Sequence, residues 1–228
     1  MEQQFQYYAF ISYKREDEKW AKWLQDRLRW YKLPSKLCRQ ITRLPKKVWP
    51  VFRDNTDLDS GRLEENIRHE LERSHYLIVI CSPEAARSPW VGKEVKYFAT
   101  LHGADKIIPF VVSGIPYSND IETECIHEQI KAISQEELLA INVREEGIGS
   151  FAMKKKRAFI RVVARLLDIK FNTLWQPYER ILRIRKWSTG IGVVLFLFVL
   201  FILWDYYRTK NEYFADYVDR WGIPEGVV

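Results

Sequence analysis

Short apolar segments that alternate with helical patterns constrain the fold of this 228-residue chain more than any other feature. Runs with the length and composition of β-strands lie at residues 7–12, 48–52, 76–81, 107–112 and, more weakly, 139–143. Because these runs are almost continuously apolar and helices separate them, the pattern predicts parallel strands in a sheet that is covered on both faces. We therefore expect an α/β fold, with a flavodoxin-like, doubly wound sheet of five parallel strands.

Apolar residues recur at helical spacing between the strands, so each connection is expected to bury one face of a helix. The repeated positions are Trp20, Leu24, Leu28 and Tyr31; Leu63, Ile67 and Leu71; Val91, Val95 and Phe98; and Phe159, Val162, Val163 and Leu166. In a doubly wound sheet, ligands bind beyond the carboxyl ends of the strands, where the strand order reverses. In the flavodoxin-like order this point lies between the first and third strands, so a site is expected at 12–15 and from Ser82 onward.

One apolar segment near the carboxyl terminus is long enough to cross a membrane as a helix. Residues 187–207 amount to about 20 residues, the length that spans the core of a bilayer. Aromatic residues mark both ends of the segment: Trp187, Trp204, Tyr206 and Tyr207. Positive charge is denser before the segment than after it, which favours a cytoplasmic location for the preceding domain. The alternative is a buried helix of a soluble core, because Asp205 lies near the end of the segment.

The chain carries 36 Lys and Arg against 30 Asp and Glu, and its formal net charge is +6. A cluster of cations precedes the apolar segment: Lys154, Lys155, Lys156, Arg157, Arg161 and Arg165. This position favours a membrane surface over nucleic acid as the partner. We expect a globular domain at 1–170, a basic juxtamembrane linker at 171–186, a transmembrane helix at 187–207 and a short tail at 208–228 that could begin a further region.

The cysteines and histidines have no spacing typical of a metal site. Cys38, Cys81 and Cys125 are odd in number and widely separated, which favours reduced thiols in a cytosolic compartment. The amino terminus also lacks the basic and apolar pattern of a secretory signal. The histidines are expected on helix or loop surfaces: His69, His75, His102 and His127. We expect no bound metal and no resident cofactor.

Three motifs occur in the order and spacing of a known family. Residues 9–15 read AFISYKR, residues 51–63 read VFRDNTDLDSGRL and residues 81–94 read CSPEAARSPWVGKE. Together they resemble the TIR (Toll/interleukin-1 receptor) domain family over about residues 5–168. The resemblance is closest to TIR domains that hydrolyse NAD+, as in the animal axon-degeneration NADase and bacterial antiphage proteins. With its apolar segment, the chain resembles a membrane-anchored bacterial type.

The resemblance implies a role for residues of each motif. In NAD-cleaving TIR domains the glutamate four residues after the tryptophan is catalytic, and here that glutamate is Glu94. Contact with the substrate NAD+ is implied for Ser12, Tyr13, Lys14, Arg15, Leu63 and Trp90. The family's assembly loop corresponds to Arg53, Asp54 and Gly61. Lys14 stands where the family commonly has arginine, so a bidentate contact with phosphate is not expected there.

The residue types around Glu94 suit cleavage of the nicotinamide N-glycosidic bond. Ser88 and Pro89 form a favourable helix start, and the four-residue spacing puts Trp90 and Glu94 on one helical face. Cleavage builds positive charge on the ribose, which a carboxylate stabilises, while nicotinamide leaves as a neutral molecule that needs no proton. The alternatives are a solvated carboxylate beside a helix start for Glu94, a core position for Trp90 and a solvated loop for 13–15.

These expectations leave two main functions open, with a nucleotide-receptor role as a third after them. The first is a membrane-anchored TIR domain that hydrolyses NAD+ when neighbouring copies assemble. The second is a scaffold without chemistry, which recruits other TIR domains through the same surfaces. In both cases the expected partners are other TIR domains and the lipid bilayer, with the TIR domain in the cytoplasm and no nucleic acid bound. NAD+ is a substrate only in the first.

Overall fold

The computed structural model describes residues 5–41, 44–45, 47–53, 61–133, 139–144 and 149–221. Contacts within the chain divide it into two compact units, Met1–Trp175 and Gln176–Val228. The first unit contains the β-sheet, and the second contains most of the last helix.

The first unit is built around a sheet of five parallel strands in the described part of the chain. The strands are β1 (Tyr7–Ser12), β2 (Val51–Arg53), β3 (Ser74–Cys81), β4 (Ile107–Val111) and β5 (Ile141–Asn142). They lie in the order β2-β1-β3-β4-β5. This order confirms the predicted flavodoxin-like, doubly wound fold and puts the reversal of strand order between β1 and β3.

Helices connect the strands and continue the chain after the last strand. They are α1 (Glu18–Trp30), α2 (Ser35–Gln40), α3 (Gly61–Glu72), α4 (Pro83–Ala86), α5 (Pro89–His102), α6 (Glu128–Ile133), α7 (Phe151–Leu166) and α8 (Phe171–Trp221), with 3-10 turns at Arg15–Asp17 and Ala104–Lys106. Helix α5 contacts both β3 and α6. The helix that carries the WVGKE motif is therefore fixed against a strand that borders the reversal point.

The apolar faces predicted from helical spacing are buried in the first unit. The buried residues are Leu24 and Leu28 of α1, Ile67 and Leu71 of α3, Val91, Val95 and Phe98 of α5, and Phe159, Val162, Val163 and Leu166 of α7. Trp20 and Tyr31 are half-buried. Removing this apolar surface from water stabilises the packing of each helix on the sheet.

Strand bounds differ from the prediction where local backbone chemistry intervenes. The second strand was expected at 48–52, but β2 begins after Pro50, which lacks the N–H that a ladder requires. The carbonyl oxygen of Pro50 still accepts a hydrogen bond from the Tyr8 N–H at 2.7 Å. Strand β3 begins two residues early because its pairing with β1 extends to Ser74, opposite Tyr7.

Part of the basic cluster on α7 packs against aromatic rings of its own unit. The Lys155 ammonium lies 4.4 Å from the ring centroid of Trp20 and 4.2 Å from that of Trp23. The Arg157 guanidinium lies 4.7 Å from the ring centroid of Trp175. Such cation-π contacts stabilise the fold by about 0.5–2 kcal/mol each. Contacts within the first unit therefore explain why these two positions are cationic, and a membrane surface is not needed to explain them.

The described part of the second unit is helical, because α8 continues to Trp221. Within α8, residues Gly192–Lys210 are long and apolar enough to cross a membrane, and none of this segment is buried. The segment overlaps the predicted span at 187–207. Because length and composition alone identify it, and core helices of soluble proteins satisfy the same criterion, membrane insertion stays a prediction.

Candidate active site

Helix α5 presents the predicted tryptophan and glutamate on one face. The helix begins at Pro89, with Ser88 as the preceding residue in extended conformation. The Ser88 side chain makes no capping hydrogen bond, but its carbonyl oxygen accepts the Gly92 N–H at 3.1 Å. Trp90 and Glu94 follow one turn apart, so both side chains leave the same side of the helix.

The Glu94 carboxylate is held at the carboxyl end of β1. Ser12, the last residue of β1, is 1% exposed, and its hydroxyl donates a hydrogen bond to Glu94 Oε2 at 2.5 Å. Strand β1 pairs with β3 in the sheet, and Ser12 is paired with Val79 of β3. The structure thus brings together two predicted site residues, Ser12 and Glu94, at the point where the strand order reverses.

Trp90 lies at the surface and is not a core residue. The residue is 43% exposed, so the alternative core position is wrong. The Lys93 ammonium lies 4.9 Å from the centroid of the Trp90 ring. The exposed indole gives a flat apolar surface one helical turn before the carboxylate of Glu94.

The loop after β1 is tied to the end of β2. Arg53 is predicted to begin the assembly loop, and its guanidinium donates to the Tyr13 hydroxyl at 3.0 Å and to Gln25 Oε1 at 3.0 Å. The same group lies 3.3 Å from a carboxylate oxygen of Glu18, and the Arg53 side chain is only 7% exposed. The predicted substrate-binding loop and the start of the predicted assembly loop are therefore in direct contact.

A buried Asp–Ser pair borders the same reversal point; Ser82 begins a segment that was expected to form the site, but Asp17 and its contact with Ser82 were not predicted. The Ser82 hydroxyl donates to Asp17 Oδ2 at 2.5 Å, and Ser82 Oγ accepts the Ala85 N–H at 3.0 Å as the cap of α4. Asp17 follows the loop 13–15, and Ser82 follows β3, so the pair joins the connections after β1 and β3. Burial raises the pKa of the Asp17 carboxyl, and the Ser82 hydrogen bond partly opposes this rise.

His127 is buried, so its expected place on a surface is wrong. Its Nδ1 accepts the Gln129 N–H at 3.1 Å, which leaves the proton on Nε2 to be donated to the Ser88 carbonyl oxygen at 3.1 Å. A Cβ added to Gly92 would stand 2.5 Å from the imidazole ring. Burial lowers the pKa of His127. The neutral ring therefore fixes the start of α5 against the segment that leads into α6.

The remaining predicted residues lie around this site or outside the described residues. Lys14 precedes the 3-10 turn after β1 and Arg15 begins it, and the Asp17 N–H donates to the Lys14 carbonyl oxygen at 2.7 Å. Gly61 and Leu63 lie in the first turn of α3, whereas Asp54 lies outside the described residues. His75 lies within β3 and stacks on Phe5, so it also was wrongly assigned to a helix or loop surface.

The described residues form neither a metal site nor a disulfide. Among the described residues, no group of three or more His, Cys, Asp or Glu side chains is arranged to hold a metal ion. Cys38, Cys81 and Cys125 form no disulfide, and burial raises the pKa of the Cys81 thiol well above its usual value. Cys81 is therefore a protonated core thiol.

Known families and proteins resemble this chain in sequence and fold. The family model described as TIR domain matches residues 9–146. The protein NAD(+) hydrolase ApTIR from Actinoplanes sp. is 36% identical over 110 residues, which cover 47% of this chain and 14% of that protein. The chain thus spans a small part of that relative's length. The TIR domains of the activated Roq1 resistosome, which directly recognizes the pathogen effector XopQ, match with 14% identity and a TM-score of 0.45, over 68% of this chain and 98% of theirs.

Proposed function

Because the chain belongs to the TIR domain family, whose model matches residues 9–146, we propose that it hydrolyses NAD+ at the nicotinamide N-glycosidic bond. The observation that carries this proposal is the 2.5 Å hydrogen bond from Ser12 to Glu94. It holds a carboxylate at the edge of the sheet where doubly wound folds bind their ligands.

The proposed chemistry needs one fixed carboxylate. The bond between ribose C1′ and the pyridinium nitrogen breaks, and its electron pair leaves with nicotinamide as a neutral molecule. Positive charge then develops on the ribose, and the Glu94 carboxylate stabilises it. A water oxygen bonds to C1′ and releases a proton to solvent, which gives ADP-ribose. A hydrogen bond that already fixes Glu94 reduces the reorganisation needed during the reaction.

The surrounding residues suit the rest of the substrate. The exposed indole of Trp90 would stack on a flat heterocycle beside the carboxylate. Tyr13, Lys14 and Arg15 follow β1 and would meet the ribose and pyrophosphate, whose negative charge the two cations offset. The Actinoplanes relative supports this assignment, because it is an NAD(+) hydrolase and 36% identical over 110 residues.

We further propose that assembly and a membrane anchor regulate the enzyme. The loop that begins at Arg53 and ends at Gly61 would contact a neighbouring TIR domain, and Arg53 already contacts the loop after β1 through Tyr13. The segment Gly192–Lys210 would anchor the chain in a bilayer. The TIR domain would face the cytoplasm, because positive charge is denser on its side of the segment.

Nicotinamide release at controlled surface density tests the proposal. Equal amounts of purified full chain are reconstituted into many or few liposomes of the same lipid, and excess empty liposomes keep the total lipid constant. We expect the rate per molecule to rise with density. If NAD+ stays intact at every density, the alternative function replaces this one, and the chain is a scaffold that recruits TIR domains without chemistry.

A further inference from the structure

A cavity of about 690 Å³ lies between α5 and α6, away from Ser12 and Glu94. One wall is a single face of α5, formed by Pro89, Gly92, Lys93 and Lys96. The opposite wall comes from the segment 118–131, which includes α6. The volume falls within the range of about 300–1,000 Å³ that is usual for sites of small molecules.

The cavity and the proposed catalytic carboxylate occupy different faces of α5. Successive residues of an α-helix are rotated by about 100°, so the wall residues 89, 92, 93 and 96 form one stripe. Trp90 and Glu94 project about a third of a turn away from that stripe. Neither Trp90 nor Glu94 lines the cavity. A molecule bound there would therefore not occupy the space in front of the Glu94 carboxylate.

The lining of the cavity carries more positive than negative charge. Its cations are Arg87, Lys93, Lys96 and Lys131, and its carboxylates are Glu124 and Glu128. Lys131 forms an ion pair with Glu124, so these two charges compensate each other. The remaining cations outnumber the remaining carboxylate. An anion would be attracted to this concave surface more strongly than to an isolated lysine.

The same cavity also has neutral polar and apolar side chains, which suit an anion that carries a flat ring as well as a charged group. Ser118, Asn119 and Gln129 offer neutral hydrogen-bonding side chains. Ile121, which is 77% exposed, and Pro89 offer apolar surface to a flat ring. A bare phosphate ion would use the cations but would leave this apolar surface in water.

We propose that the α5–α6 cavity binds a phosphate-bearing small molecule of the nucleotide class, at a site separate from that of Glu94. The phosphate lies between Arg87 and Lys96, and the heterocycle lies against Ile121 and Pro89. Charge-assisted hydrogen bonds to phosphate supply most of the affinity.

The test uses AMP as the probe and adenosine as its uncharged counterpart. Equilibrium dialysis measures the binding of each to the full chain in detergent at low salt, where screening of exposed charges is weakest. The double variant Arg87→Ala/Lys96→Ala removes two cavity cations, and Lys19→Ala/Lys22→Ala removes two exposed cations of α1 as the matched control. Lys93 is kept, because its ammonium also lies over Trp90.

We expect AMP to bind at least about tenfold more tightly than adenosine, and the cavity variant to weaken AMP binding by about tenfold or more. The α1 control should bind AMP as the wild type does, and so should Lys14→Ala/Arg15→Ala, which removes the two cations that follow β1 and do not line the cavity. The proposal is overturned if AMP does not bind, or if the cavity variant binds AMP unchanged. It is also overturned if Lys14→Ala/Arg15→Ala loses AMP, because the probe then occupies the site of Glu94.

Discussion

The hydroxyl of Ser12 donates a hydrogen bond to the carboxylate of Glu94, with 2.5 Å between Oγ and Oε2. The two residues are 82 positions apart in the chain and belong to β1 and α5. The contact therefore depends on the sheet order, which puts β1 beside β3 and leads from β3 into the segment before α5. It turns a surface glutamate of a helix into a carboxylate of fixed position.

Ser12→Ala should lower the rate of NAD+ cleavage by about tenfold to a hundredfold. A hydrogen bond to a charged group contributes about 1.5–3 kcal/mol, and each 1.4 kcal/mol corresponds to a factor of ten. Nicotinamide release by clustered protein measures the effect. Ser74→Ala is the matched control, because Ser74 is also a buried strand serine but donates to the Glu70 carbonyl oxygen. If both variants lose the same activity, the loss reflects lower stability, and the proposal that Ser12 positions the Glu94 carboxylate is wrong.

Gly92→Ala should destabilise the fold by about 1–3 kcal/mol, because its Cβ would stand 2.5 Å from the His127 ring. Two hydrogen bonds hold this ring, so it does not move aside freely. In a His127→Ala background the obstacle is gone, and the same change should stabilise by up to about 1 kcal/mol through helix propensity. Thermal unfolding of all four proteins measures this reversal of sign. Equal effects in both backgrounds would contradict the packing described for Gly92.

Asp17→Asn should change how stability depends on pH. Because burial raises the pKa of Asp17, the folded state binds its proton more tightly than the unfolded state. The stabilising contribution of this carboxyl is complete below its unfolded pKa of about 3.9 and is lost as pH rises through the folded pKa. Relative to Asp17→Asn, the wild type should therefore lose free energy of unfolding as pH rises from below the unfolded pKa through the raised folded pKa. Urea unfolding of both proteins tests this, and a constant difference would contradict it.

The anchor prediction concerns residues Gly192–Lys210. We expect the full chain to stay with membranes in alkaline carbonate, because a helix of about 19 predominantly apolar residues is long enough to cross a bilayer. In inside-out vesicles, where the cytoplasmic face is exposed, added protease should digest the TIR domain. If carbonate extracts the chain, the predicted membrane anchor is wrong. If the TIR domain is protected from protease in these vesicles, the predicted orientation is wrong.

The fold was largely predictable because each strand and helix is indicated by a pattern of residues that are close together in the sequence. Each apolar run of five or six residues is long enough to indicate a buried parallel strand, and the helical stripes between them are regular. The predicted strand bounds were wrong where Pro50 interrupts the pattern before β2 and where pairing with β1 extends β3 to Ser74. Glu94 and Trp90 could be named because their spacing and the family motif coincide.

The contacts that shape the site could not be predicted, because they join distant parts of the chain. Ser82 and Asp17 are 65 positions apart, and no periodicity relates a buried carboxylate to its hydroxyl donor. His127 was assigned to a surface with the other histidines because none has metal-site spacing. The helix that follows it has six residues, too few for a buried face to be predicted from spacing. Its burial follows from packing on Gly92, which is a tertiary contact.

Glu94→Gln tests the central claim most directly, because it keeps the shape of the side chain and removes its charge. Wild type and variant are compared on liposomes at equal high density, and nicotinamide release from NAD+ is measured. The loss of a preorganised electrostatic stabiliser commonly costs about a hundredfold to a thousandfold in rate, or about 2.7–4 kcal/mol. Stability should change far less, by about 0.3–1 kcal/mol, the contribution of a carboxylate near a helix start. We predict a wild type that releases nicotinamide and a folded variant at least about a hundredfold slower; full turnover by Glu94→Gln would contradict the account.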